Sequence, residues 1–259
     1  MHSEINLVIN ELKQIVGDDI HVDAVQGGAI NRSFCVRQGQ DRYFLKLFDG
    51  STALRLNRKD LFKQQQRLAE LGLAAQPVYL STNSDFQLDQ WVASCNLDQS
   101  SLNRAEQCKL LALTLSKIHS VKMPLAKLDL ARDWQYYLAL SPTAPSTFEQ
   151  QQLDVMLQYW QQQSAEECVL CHNDLAFSHI TLAPSTVVFD WEYSALSNPF
   201  FDIASAITIN ELNAAEQELL LLHYATYKQL DVNSVMHKVN CMLPLVIKTN
   251  ELWTMAFVR

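Results

Sequence analysis

Apolar residues recur at helical spacing where the chain begins. Ile5, Val8, Ile9, Leu12, Ile15 and Val16 share one face, and Ser3 stands where it could cap the predicted helix. After Gly17 the pattern shortens. His21–Val25, Ser33–Arg37 and Arg42–Phe48 are short β-rich segments separated by turn residues, and each predicts a strand. A helix follows from about Asn57 to Leu71, with Gly72 as its stop signal. Pro77–Leu80 and Phe86–Val92 predict two further strands. From Asn103 helix takes over. Cys108–His119 carries Leu110, Leu111, Leu113, Leu115 and Ile118, while the glutamine-rich stretch Phe148–Gln163 predicts a solvated helix. Val169 to Phe189 reads as extended and loop-like, before helices near Asp202–Ile209, Ala214–Leu230 and Val235–Met255. Strands first and helices afterwards predict an α+β protein with a small antiparallel lobe over residues 1–92 and a mainly helical one over 93–259.

Composition agrees with a folded chain: of 259 residues, 48% are hydrophobic and 19% charged, enough for a substantial core. The net charge of -8, with no dense Lys/Arg cluster, argues against nucleic acid as a partner and weakly favours a cationic ligand. Six cysteines show no framework spacing. Cys168 and Cys171 form a C-x-x-C in an apolar run without a second pair, which predicts buried thiols in a reducing compartment. The N-terminus lacks a basic region followed by an apolar stretch. No run nears the roughly 18 apolar residues of a membrane span, so the expectation is a cytoplasmic protein that does not engage a membrane.

The chemistry is concentrated in Cys171-His172-Asn173-Asp174-Leu175 and Val187-Val188-Phe189-Asp190-Trp191-Glu192. Two aspartates in successive loops suit phosphoryl transfer: one carboxylate accepts the proton of an attacking hydroxyl, and the other binds the metal that bridges the phosphates. Magnesium demands hard oxygen ligands, which a carboxylate supplies. Gly27 and Gly28, in Gln26-Gly27-Gly28-Ala29-Ile30-Asn31, let backbone N–H groups approach phosphates. Lys46 is a lone cation in an apolar strand, the setting of a phosphate-binding lysine.

In this order the motifs resemble the aminoglycoside phosphotransferase and choline kinase superfamily, whose pattern is H-x-D-x-x-x-x-N followed by an apolar-D-[WF]-E segment. The similarity runs from Gly27 to about Ala206. Asp190-Trp191-Glu192-Tyr193-Ser194, Asn198-Pro199 and Phe201-Asp202-Ile203-Ala204 look most like the choline/ethanolamine kinase branch, and thiamine kinases share the D-W-E-Y element. The stretch from Leu111 to Ser120 also resembles the helix before the catalytic region.

The resemblance implies a bilobal, protein-kinase-like fold. It implies an ATP-dependent kinase of a small, cationic alcohol that uses magnesium; the imidazole of His179 makes manganese the alternative. Asp174 then becomes the base, with His172 ordering its loop. Asp190 becomes the metal aspartate and Lys46 the phosphate lysine, while Asp202 braces the catalytic loop. Gly27, Gly28 and Asn31, with Gln90 and Trp91 where the lobes are expected to join, make up the nucleotide set. Two positions depart from the pattern. His179 replaces the metal-binding asparagine, and the helix expected to offer Lys46 a glutamate has only Asp60 nearby. Trp191, Tyr193 and Trp253, with the charge of Glu192, are the expected cation-binding set, whereas Trp134 reads as core. The rival reading is a kinase fold that binds nucleotide without turnover.

Overall fold

The computed structural model describes residues 2–25, 31–48, 56–162, 168–182 and 186–257, with side chains from residue 7. The chain divides into two compact units. The first holds the residues up to Cys95 together with Thr181–Glu192; the second holds Asn96–Ile180 and Tyr193 onward.

The first unit is built on a five-stranded antiparallel sheet: β1 (Ile20–Val25), β2 (Arg32–Gln38), β3 (Asp41–Leu47), β4 (Pro77–Leu80) and β5 (Phe86–Gln90). Their order is β1-β2-β3-β5-β4. Strand alternation sorts the side chains. Val36, Leu45, Leu47, Phe86 and Leu88 bury on one side against Leu12, with Val8 and Val16 of α1 (His2–Val16) packed beside them. The helix begins before Ser3, so Ser3 lies within it and not at its start. Lys46 falls between Leu45 and Leu47 and must project from the opposite face. Helix α2 (Arg58–Glu70) starts at Asn57, whose side chain accepts from the Asp60 N–H. The returning segment 181–192 is tied to this unit by its backbone. Leu182 N–H donates to Cys95 O (3.0 Å), Val188 N–H to Leu73 O (2.7 Å), and Thr181 N–H closes the hairpin on Val187 O (3.0 Å).

The second unit contains α3 (Arg104–Ile118), α4 (Leu130–Leu140), α5 (Thr147–Gln161), α6 (Pro199–Ile209), α7 (Ala214–Lys228) and α8 (Val232–Phe257). Helices α3 and α7 pack together, and α4 and α6 pack on α8. Reciprocal capping boxes, Asn103/Glu106, Ser146/Glu149 and Asn213/Glu216, fix the starts of α3, α5 and α7. A two-stranded ribbon pairs β6 (Val169–Cys171) with β7 (Ala195–Ser197). Helix α4 was not anticipated, although Asp129 caps it and Leu130, Trp134 and Tyr137 bury on one face. Trp134 donates its indole N–H to Thr249 Oγ1 (2.9 Å) inside the core. Helix α5 is solvated as expected, burying only Leu153. Among the described residues no helix is long and apolar enough to cross a membrane.

Candidate active site

In the first unit Lys46 Nζ lies 2.6 Å from Asp190 Oδ1 and 3.6 Å from Glu192 Oε2. The same Glu192 oxygen is 3.1 Å from Arg58 Nη1, and the Arg58 guanidinium lies over the Phe48 ring at 3.9 Å. Burial alone would lower the pKa of Lys46; the charges of Asp190 and Glu192 overcome it and raise the pKa, so the ammonium persists. Asp190 adopts a left-handed backbone, φ 63°, at the end of the anchored hairpin. A non-glycine residue there is held by its surroundings.

Three expectations change here, and a fourth residue enters the site. Asp60 does not serve Lys46: it accepts from Asn57 Nδ2 at 2.6 Å on the exposed start of α2, because an acid at that position satisfies the helix terminus. Glu192, expected to face substrate, pairs with Lys46 and Arg58. Trp191, expected to offer an aromatic face, is only 6% exposed and donates its indole N–H to Val188 O at 2.8 Å. Arg58 was not singled out at all. Among the nucleotide-set residues, Asn31 is half-buried just before β2. Gln90 and Trp91 use their backbone N–H groups on Gln76 O (2.8 Å) and Arg42 O (3.2 Å). Gly27 and Gly28 lie outside the described residues.

In the second unit the chain leaves β6 into His172-Asn173-Asp174. Asp202, fully buried on α6, accepts the N–H of His172 on Oδ2 (2.9 Å) and that of Asn173 on Oδ1 (2.7 Å). His119 Nε2 bonds Asp202 Oδ2 at 2.9 Å, and His119 Nδ1 meets the Tyr224 hydroxyl at 2.8 Å. Burial pushes the Asp202 carboxyl up, yet the His119 hydrogen bond and the neighbouring histidines prevail and hold it below its ordinary value. Tyr224 is pushed up by burial, with Cys171 and Asp202 adding to the effect.

Asn173 takes φ 62° and donates from Nδ2 to Tyr193 O at 3.0 Å. The Ser205 hydroxyl donates to Asn173 O at 2.9 Å. One turn further along, Asn210 donates to Leu175 O (3.0 Å) and accepts from Phe177 N–H (2.7 Å). Asp174 is half-buried, its N–H directed at His172 Nδ1 (3.3 Å).

A short 3₁₀ turn, Phe177–His179, brings His179 back to this loop. Its Nδ1 is 2.8 Å from Asp174 O. A carbonyl only accepts, so Nδ1 carries the proton and Nε2 is the atom a metal would use. A ring nitrogen of His179 and a carboxylate oxygen of Asp174 lie within 4.8 Å of each other. Carboxylate oxygen with imidazole nitrogen fits a divalent cation of borderline hardness. In the same unit Trp253 Nε1 donates to Tyr193 Oη at 3.0 Å, and the Trp253 ring lies 5.5 Å from Phe257. Phe257 extends the aromatic group, and its signal was the four-residue spacing from Trp253 on α8.

The sequence model of the phosphotransferase enzyme family, APH, matches residues 21–233, and the chain belongs to that family. It is similar to Protein LicA of Haemophilus influenzae, 22% identical over 206 residues, covering 76% of this chain and 61% of that protein. The chain spans about three-fifths of the length of the curated relatives it matches. Among solved structures it resembles choline kinase LicA from Streptococcus pneumoniae, with TM-score 0.77 and 19% identity over 97% of this chain and 89% of that one. It also resembles a Plasmodium vivax ethanolamine kinase, with TM-score 0.75 and 17% identity over 96% of this chain and 80% of that one. The fold is therefore the α+β, protein-kinase-like one expected from the motifs.

Proposed function

We propose that this protein is an ATP-dependent kinase that phosphorylates the hydroxyl of a small cationic alcohol of the choline/ethanolamine type. The observation that carries the reading is the clamped loop His172–Asp174, whose backbone N–H groups converge on buried Asp202. Asp174 accepts the proton of the acceptor hydroxyl as its oxygen attacks the γ-phosphorus of ATP, and the bond from that phosphorus to the β–γ bridging oxygen breaks to release ADP. His172 supports that loop through its contact with the Asp174 N–H. Lys46, kept cationic by its carboxylate neighbours, binds phosphate oxygens. Asp190 is the proposed metal residue of the first unit and His179 that of the second; a divalent metal, when bound, would neutralise phosphate charge. Tyr193 and Trp253, fixed to each other, offer aromatic faces to a cationic head group. Gly27, Gly28, Asn31, Gln90 and Trp91 complete the proposed nucleotide contacts, and the setting is the cytoplasm. Family membership and the likeness to a choline kinase and an ethanolamine kinase support this reading.

ADP release with choline, ethanolamine, thiamine and a neutral polyol tests it. The cationic alcohols are expected to give the higher specificity constants, and a polyol at the top would end the cationic-site reading. Asp174→Asn is expected to cut turnover by about 10²-fold or more while ATP affinity is kept. Unchanged turnover would remove Asp174 from the mechanism. ATP binding without transfer to any alcohol would favour the rival, nucleotide-binding role that the histidine at position 179 suggests.

A further inference from the structure

Helix α2 gives Lys46 no carboxylate; it gives the neighbourhood a second cation. Arg58, its first residue, is 5% exposed and reaches Glu192 Oε2 at 3.1 Å, the same oxygen that lies 3.6 Å from Lys46 Nζ. Two cations, Lys46 and Arg58, thus face two carboxylates, Asp190 and Glu192, in a partly buried group whose most enclosed member is Arg58. Burial of so many charges is tolerable only while each stays paired. The flat guanidinium suits the place better than an ammonium would, because it packs on the Phe48 ring while its edge serves the carboxylate.

We propose that Arg58 is a positioning residue that holds Glu192 in place and, through it, fixes Lys46 for phosphate binding. The inference rests on the kinase reading above. If Asp190 turns to a metal, Lys46 gives up its 2.6 Å partner, and Glu192 is the carboxylate that remains to guide it. Arg58 shares that carboxylate and so keeps Glu192 from closing fully on Lys46 and quenching it. Without the guanidinium, Glu192 pairs with Lys46 directly, and the ammonium is withdrawn from phosphate.

The test compares wild type with Arg58→Met, Arg58→Lys, Glu192→Gln and the double variant Arg58→Met/Glu192→Gln. Steady-state kinetics are read alongside ADP affinity by calorimetry and the melting temperature. Arg58→Met is expected to raise KM for ATP about tenfold, the size of one lost charge-assisted hydrogen bond, with KM for the alcohol unchanged. Arg58→Lys is expected to recover part of the loss. The double variant is expected to be no worse than the worse single change, since both act on one pair. An unchanged KM for ATP in folded variants overturns the proposal, as do additive effects or a shift confined to KM for the alcohol. Should Arg58→Met fail to fold, Arg58→Lys and the charge-neutral double variant decide by the same criteria. A wild-type protein that neither binds ATP nor transfers phosphate would instead overturn the kinase reading itself.

Discussion

His179 shows how much one side chain can alter the demands of a site. Its Nδ1–H is committed to Asp174 O at 2.8 Å, so a metal would meet Nε2. Magnesium binds such a nitrogen poorly and manganese binds it better. Wild type is therefore expected to bind manganese more tightly than magnesium in the presence of ADP, and His179→Asn to shift that preference several-fold toward magnesium. Titration of each metal by calorimetry checks this, and identical preferences would remove His179 from the metal set. Position 179 was legible because it interrupts a short local pattern. Arg58 was not: its meaning lies in a partner 134 positions away, and no local spacing encodes such a pair. Asp60 misled for a related reason. An acid in the first turn of a helix has an ordinary use at the helix terminus, and that use prevailed.

Helix α6 acts as a rail for the loop that follows β6. Asp202, Ser205 and Asn210, at the C-cap, hold the main chain of residues 172–177 at successive points. Asn210→Ala removes two of these bonds without touching Asp174. It is expected to lower turnover roughly tenfold, as small misplacements of a reacting group do, with ATP affinity unchanged. Hydrogen exchange at the Phe177 amide should speed up in the same variant, and unchanged exchange and turnover would deny Asn210 this part. The motif Phe201-Asp202-Ile203-Ala204 disclosed the first point of the rail, but Asn210 looked like an ordinary helix end. Periodicity located most elements to within a few residues, because alternating and helical patterns both report burial. It passed over α4, whose buried face rests on Leu130, Trp134 and Tyr137 in a single short stretch. No local pattern announced that Gln65 of α2 bridges Ala75 O and Gln87.

At the scale of the whole molecule, the two units carry acids with opposite pH behaviour. Burial pushes Asp89 in the first unit up to about 6, despite hydrogen bonds from Gln87 and Gln65. Its folded pKa exceeds the unfolded value of about 3.9, so stability rises as pH falls from 6 toward 4 and is lowest above 6. Asp202 in the second unit is held low, so its contribution is present above about pH 4 and lost as pH drops through its folded value. Asp89→Asn is expected to raise stability near pH 7.5 by about 1–3 kcal/mol, and to change it little at pH 4. Asp202→Asn is expected to destabilise most at neutral pH. Melts of both variants across this range check the signs, and parallel curves would refute them. A change from strand-rich to helix-rich sequence was plain along the chain. Nothing in composition marked Thr181–Glu192 as belonging with the sheet, because that membership rests on backbone bonds to Leu73 and Cys95. The gene for the sheet-bearing unit therefore cannot be excised with a single cut after codon 95. Such a fragment would leave those carbonyls unmet and forfeit Val187, Val188 and Trp191 from its interior. A minimal version would have to splice the distant dozen residues back on, as a fused tail or a peptide added in trans.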